Sequence, residues 1–295
     1  EKLSTLYVSR KDKRMPLGAA IKRYVKPGMK INPVALQARP TAAVYELCRQ
    51  FAGTKPNFEM ITSGVGGGFL APVHLGLVTK AVCSFCGESY PTPGPSKVVH
   101  RALKRGFQIE CWTMLTISQR LLAGCMGVPF LATRSLADSD IGREARERGE
   151  YMEATAPNGE RFGMLKAYRP DISFVHAWAA DAEGNAIVYP PYAENVYGAL
   201  AAREGVVLTA DHIVDTDFIR EHANLVRVPG HVVRSVSHVP FGAHPSGNFS
   251  QAIDRFVPYG NDYDFMEACR AAQRTDESFD AWVRDHAGRM ETAAL

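Results

Sequence analysis

The sequence predicts an α/β fold: an open, mainly parallel sheet with helices on both faces, built as a single large domain. Three observations carry this. Short β-like apolar runs alternate with segments of helical spacing from residue 29 to about residue 220, the order that βαβ units produce. The run Phe174-Val-His-Ala-Trp178 reads as a core strand. No internal repeat, low-complexity tract or linker breaks the pattern.

Residues 1–28 read as an N-terminal arm and 29–295 as the domain. Within the arm, Leu17 to Val25 has helical spacing and Lys26-Pro-Gly28 stops it. Met29 to Leu36 is a strand. Thr41 to Phe51 is a helix that Pro40 starts, with Ala43, Val44 and Leu47 at helical intervals. Strands follow at Phe58 to Thr62, Ala81 to Phe85 and Phe107 to Trp112, with helices at Phe69 to Leu77 and Val98 to Arg105 between them. The helix Leu115 to Met126 leads through Gly127 into a short buried strand, Val128 to Thr133, whose carboxyl end delivers Thr133, Arg134 and Ser135. Open α/β sheets place ligands at such strand ends. Ala145 to Asn158 is charged and exposed. Ile172 to Trp178 and Gly205 to Ala210 are further strands, Asn195 to Arg203 a helix and Leu225 to Val239 extended. Helices near Tyr263 to Arg274 and Phe279 to Met290 close the chain.

Composition narrows the function. Apolar residues make 46% and charged residues 22% of the 295, an ordinary globular balance. No apolar run reaches the roughly 20 residues needed to span a bilayer, and the start, Glu1 to Arg14, is too polar for a secretory core. A cytoplasmic protein is the expectation. The net charge of +3 is small and its Lys and Arg are scattered, so neither a nucleic acid nor a membrane is expected as partner. Six cysteines are too few for a disulfide scaffold. Cys83-Ser-Phe-Cys86 has no second pair to complete a zinc site, and strand alternation would point its two thiols to opposite faces. No metal is expected.

Several residues are candidates for chemistry. Ser63-Gly-Val-Gly-Gly-Gly68 joins a strand to a helix, so its N–H groups either cradle an anionic oxygen or simply form a tight turn. It matches neither a dinucleotide fingerprint nor a P-loop. Glu88 follows a strand end beside a Pro-rich loop and is either solvated or catalytic. Glu110 lies mid-strand, where burial would raise its pKa and make it an acid or base; an ion pair with an arginine is the alternative. Arg134 and Ser135 follow the apolar strand, and the arginine either binds a carboxylate or phosphate or ties down Asp138 or Asp140. His176 reads as a core histidine, and His212 and His244 as loop residues without an evident partner. There is no nucleophile elbow for a serine hydrolase.

Taken together, several segments resemble the α subunits of two-subunit CoA-transferases of the glutaconate type. They are Lys26-Pro-Gly-Met-Lys30, Ala43-Val-Tyr-Glu-Leu47, Ser84-Phe-Cys-Gly-Glu88, Ala123 to Ser135 with Ser139-Asp-Ile-Gly142, Arg169-Pro-Asp171, Ala180-Asp-Ala-Glu-Gly-Asn185 and Pro240-Phe-Gly-Ala-His-Pro245. They fall in family order over roughly residues 15 to 260.

The resemblance implies half of an interfacial active site. In that family a β-subunit glutamate attacks an acyl-CoA to give a glutamyl-CoA thioester, and the CoA then passes to a second acid. The β-type Ser-Glu-Asn-Gly run is absent here, as expected of an α subunit that needs a β partner in a hetero-oligomer. The CoA thioester is substrate, with no permanently bound cofactor. By the same resemblance Ser63, Gly64, Gly66, Gly67 and Gly68 line the acyl pocket, with Glu88, Arg134 and Ser135 close to it. Relatives that hydrolyse a C–C bond of a steroid-derived acyl-CoA, or decarboxylate an acyl-CoA, provide an alternative in which Glu110 or Glu88 is the base. A non-catalytic scaffold subunit is a further alternative.

Overall fold

The computed structural model describes residues 11–34, 38–188 and 193–289, without the side chains of 193–195 and 287–289. The expected strand end at Leu36, the first ten residues of the arm and Met290 lie outside the described residues.

Seven parallel strands form the centre of the molecule: β1 (Lys30–Pro33), β2 (Phe58–Ile61), β4 (Val78–Cys83), β6 (Gln108–Cys111), β10 (Ile172–Ala180), β12 (Gly205–Ile213) and β14 (Val233–His238). Their order is β14-β12-β10-β1-β2-β4-β6. Two short strands, β11 (Ala186–Ile187) and β13 (Val226–Val228), add antiparallel beside the last residues of β10 and make nine among the described residues. The chain first winds outward from β1 to β6 and then returns to the other side of β1 at β10. The switch point of the sheet therefore lies between β1 and β10, where such sheets open a crevice.

The sheet is buried on both faces, as a parallel sheet must be. All nine residues of β10 are buried. Neighbouring residues alternate between two cores: Met60 and Ala81 enter one cluster, Ile61 and Val82 the other. On the first face lie α1 (Leu17–Tyr24), α2 (Thr41–Phe51), α3 (Leu70–His74), α4 (Lys97–Lys104), α9 (Tyr263–Ala272) and α10 (Asp276–Arg289). On the second lies α5 (Met114–Met126), packed against α7 (Ala193–Ala201). A capping box between Thr113 and Thr116 starts α5. No helix among the described residues is long and apolar enough to cross a membrane.

Two expectations need correction. The helical part of the supposed arm is not separate, because Ala20, Ile21 and Val25 are buried in the first core with α2. The strand after Gly127 also lies elsewhere. β7 (Phe130–Thr133) pairs antiparallel with β9 (Arg161–Lys166), which pairs with β8 (Tyr151–Thr155) in a separate three-stranded sheet. Short apolar runs carry no information about which sheet they join. The stretch Ala145 to Asn158 supplies the end of α6 (Asp140–Glu147) and all of β8.

Candidate active site

A cavity of about 550 Å³ opens at the carboxyl ends of β1, β2 and β4. Its floor is the glycine loop. After β2, Ser63 leads into β3 (Gly64–Val65), which pairs in parallel with β5 (Phe85–Cys86). Just past this pairing the two loops approach so closely that only glycine fits: a Cβ on Gly66 would stand 2.3 Å from the Gly87 carbonyl oxygen. Gly67 has φ +55, in the left-handed region, and a Cβ there would meet nothing within 4 Å. The loop then tightens into a 3-10 turn, Gly67–Phe69, that runs into α3. The first N–H groups of such a turn have no acceptor within it.

Around this floor stand Arg39 and Thr41 after β1, Ser84, Phe85 and Gly87 to Tyr90 after β4, Met114 at the start of α5, and Pro245 and Ser246 from the loop after β14. The last wall is α9, with Tyr263, Phe265, Met266 and Cys269. Tyr90 and Tyr263 stack with ring centroids 4.5 Å apart. Arg39 lies 5.5 Å over the Phe69 ring and donates to the Gly66 carbonyl at 3.4 Å. A buried network supports the loop after β14. Asp211 accepts from the Phe241 amide at 2.7 Å, from Asn248 Nδ2 at 3.1 Å and from Tyr259 Oη at 3.1 Å. It also faces His176 Nε2 at 3.2 Å. His176 Nδ1 meets Thr209 Oγ1 at 2.9 Å, so His176 is a core histidine. His244 does have a partner, Asp262, at 2.9 Å.

Ser63, Gly64, Gly66, Gly67, Gly68 and Glu88 come together on this cavity. Glu88 is 6% exposed. Burial pushes its carboxyl above the ordinary range, opposed by a hydrogen bond from Gln273 and by the charges of Arg270 and Arg39.

Three other candidates lie elsewhere. The Arg134 side chain is 82% exposed and pairs with Glu160, because β7 ends in the separate antiparallel sheet. Ser135 gives its amide to Thr133 Oγ1 at 3.1 Å. Neither lines the cavity. Arg134→Ala is expected to shift the chain's denaturant midpoint by less than the equivalent of about 0.5 kcal/mol, since exposed pairs contribute little; a larger shift would show that the pair braces the small sheet.

Glu110 is a structural ion. It accepts from Lys80 Nζ at 2.6 Å, Trp112 Nε1 at 2.6 Å and Arg120 Nη1 at 3.2 Å. Burial alone would raise its pKa, but the hydrogen bonds from Lys80 and Trp112 and the Lys80 charge outweigh it and hold the carboxyl at about 2. Such a group is ionised and paired, unlike a poised base. The ion-pair alternative describes it, with Lys80 as a partner that the sequence did not single out.

The thiols of Cys83 and Cys86 also depart from expectation. The strand stops at Cys83, so alternation no longer applies, and the two thiols are near enough to influence each other, the Cys83 thiol pushed up and the Cys86 thiol drawn down. Among the described residues no group of three His, Cys, Asp or Glu could hold a metal ion.

Arg39 and the α9 residues escaped sequence reading. Arg39 had one available signal, a cation between β1 and the Pro40 that starts α2. The α9 residues had none, since their spacing is that of any packed helix.

The chain is similar to several known proteins. Residues 14–238 match the family model described as coenzyme A transferase. The A-type subunit of 3-oxoadipate CoA-transferase from Pseudomonas knackmussii is 26% identical over 280 residues, covering 92% of both chains. The A-type subunit of glutaconate CoA-transferase from Acidaminococcus fermentans is 24% identical and covers 92% of this chain and 87% of its own. The crystal structure of that glutaconate enzyme superposes with a TM-score of 0.80, covering 92% of this chain and 88% of its own at 24% identity. A variant of the decarboxylase AibA/AibB gives a TM-score of 0.72 at 22% identity, covering 92% of this chain and 97% of its own. Shared fold, the glycine loop at the strand ends and the family match over most of the length lead to one conclusion: this chain belongs to the coenzyme A transferase family.

Proposed function

We propose that this chain is the A-type subunit of a heteromeric acyl-CoA:carboxylate CoA-transferase, and that its cavity is one side of an active site completed by a second subunit. The observation that carries this reading is the cavity itself. Its floor is backbone free to approach an acyl group closely, and its rim carries the exposed Phe85, Met114 and Tyr263. Apolar side chains exposed together at a site mouth are suited to being covered by a partner.

In this reading the N–H groups of Gly67 and Gly68, with Ser63 beside them, face the thioester oxygen as charge develops on it. Arg39 supplies a cation for a carboxylate of the acid. The names of the two relatives, both enzymes of dicarboxylic acids, agree with such a role. CoA enters as substrate and leaves as product, and no resident cofactor takes part. The attacking glutamate comes from the partner.

The purified chain is therefore expected to show no exchange of CoA between an acyl-CoA and acetate or succinate. Adding the second subunit restores it, and mass spectrometry of the trapped intermediate finds the glutamyl-CoA adduct on the partner. An adduct on Glu88, or exchange by the chain alone, overturns the half-site reading.

A further inference from the structure

We propose that α9 is a gauge of acyl length, with Tyr263, Met266 and Cys269 lining the cavity in order of depth, and that the site selects unbranched aliphatic acyl groups of about six carbons. The inference rests on the CoA-transfer reading and adds to it the substrate class.

Tyr263, Met266 and Cys269 follow one another on the helix at the spacing of side-chain neighbours, and all three line the cavity. Their exposure falls inward: Tyr263 is 48% exposed, Met266 half-buried and Cys269 4% exposed. The helix thus runs from the mouth of the cavity to its closed end. It is also a fixed wall. Asp262 caps its first turn by accepting from the Phe265 amide at 2.9 Å, and His244 holds Asp262 at 2.9 Å. Tyr263 stacks on Tyr90, and Phe265 packs edge-on against Trp282 of α10 with ring centroids 4.8 Å apart. At the far end Gln273 is 2% exposed and bonded on both sides, accepting from Ser96 Oγ at 2.9 Å and donating to Glu88 at 2.7 Å.

The chemistry of this wall is apolar. An aromatic ring, a thioether and a thiol face the cavity. Burial pushes the Cys269 thiol up to about 12, so it packs as a small neutral surface and is no nucleophile. Asp264 and Glu267 of the same helix are exposed, Arg270 donates to the Tyr90 and Thr92 carbonyls at 3.2 and 2.8 Å, and none of the three lines the cavity. A polar tail finds no partner along α9, and a buried polar group left unpaired costs binding. A hydrocarbon tail gains with every carbon it buries. Length follows from the helix itself. The six positions from Tyr263 to Cys269 rise by about 1.5 Å each, roughly 9 Å in all. An extended chain advances about 1.2 Å per bond, so this distance takes about seven bonds, enough for a six-carbon acyl group with its bond to sulfur. Cys269 then meets the far end of the chain, and Met266 its middle.

The test measures CoA exchange to succinate by the chain assembled with its second subunit, with acetyl-, butyryl-, hexanoyl- and octanoyl-CoA as donors. The wild type is expected to favour hexanoyl-CoA over acetyl-CoA in kcat/KM by at least about tenfold and to fall off at octanoyl-CoA. Cys269→Phe, which fills the closed end, is expected to cut the hexanoyl-to-butyryl ratio by about 30-fold. Met266→Trp, halfway along, is expected to cut the butyryl-to-acetyl ratio by roughly tenfold. Cys269→Ala blocks nothing and is expected to keep the hexanoyl-to-butyryl ratio within about threefold of the wild type. Should Cys269→Phe fail to assemble, Met266→Trp and the wild-type profile still decide the matter. A wild type indifferent to length, or variants that slow all four donors alike, overturns the inference. Calorimetric binding of the four thioesters to the same complexes separates the two readings. A length profile in binding that shifts in the variants, with no exchange by the wild type, supports the gauge and sinks CoA transfer.

Discussion

Gly67→Val is expected to lower kcat/KM for CoA exchange by at least about 100-fold, a loss of roughly 2.7 kcal/mol of transition-state stabilisation. The complex with the second subunit should nevertheless still assemble. Two properties of the position produce this outcome. Its φ of +55 suits glycine, and a β-branched residue held there costs on the order of 1–3 kcal/mol, so the backbone tends to relax and turn its N–H away from the thioester. The space where the Cβ would stand is also open, with nothing within 4 Å. The new side chain therefore clashes with no neighbour, the cost to the fold is the backbone strain alone, and the side chain obstructs what approaches the loop. Gly66→Ala is the instructive contrast. Its Cβ would stand 2.3 Å from the Gly87 carbonyl oxygen, so the pairing of β3 with β5 must open and stability falls together with activity. Thermal unfolding and steady-state exchange measured on both variants separate the two effects. Exchange by Gly67→Val within about threefold of the wild type would reduce the loop to a turn.

Glu110→Gln should do the reverse, leaving the chemistry in place while destabilising the chain by about 3–5 kcal/mol, the usual cost of removing one member of a buried charge cluster. The Glu110 side chain is 4% exposed and that of Arg120 only 1%. With the carboxylate gone, Arg120 keeps Glu150 at 2.8 Å and the Lys166 carbonyl at 3.1 Å, while Lys80 loses its closest acidic partner and keeps Glu59 at 3.7 Å. The pH dependence has a definite sign. The folded pKa of about 2 lies below the ordinary 4.5, so the fold favours the ionised form. This stabilisation is complete well above pH 4.5 and drains away as the pH falls from 4.5 towards 2. At 1.36 kcal/mol per unit the shift corresponds to roughly 3 kcal/mol, in line with the mutational expectation. Unfolding midpoints of the wild type and Glu110→Gln should therefore differ most near neutral pH and converge towards pH 2. Equal midpoints at pH 7 would show that the cluster contributes no net stability; a collapse of exchange activity in a well-folded variant would restore Glu110 to the chemistry.

Both residues show where sequence reading stops. Gly67 sits in a motif whose meaning is local, a strand, a run of glycines and a helix, so its place at the strand ends is legible in the order of residues alone. Glu110 was equally visible as a carboxylate amid apolar residues, yet the sign of its pKa shift depends on Lys80 across the neighbouring strand and on Arg120 one element later. Nothing in the spacing of residues 80, 110 and 120 marks them as neighbours. Arg134 failed for a related reason. The run Val128 to Thr133 is as apolar as a core strand, but pairing with β9 carries it into another sheet, and Arg134 goes with it into solvent.

Periodicity and local chemistry determined the layered α/β order, most element positions and the glycine loop, because a strand's burial and a helix's stripe are written in adjacent residues. The tertiary structure alone decided which sheet β7 joins, that α1 belongs to the core, that α9 walls the cavity, and that Gln273 reaches Glu88 across 185 residues. Those contacts join segments far apart in the chain, and their energies depend on distance in space, which a single sequence does not record.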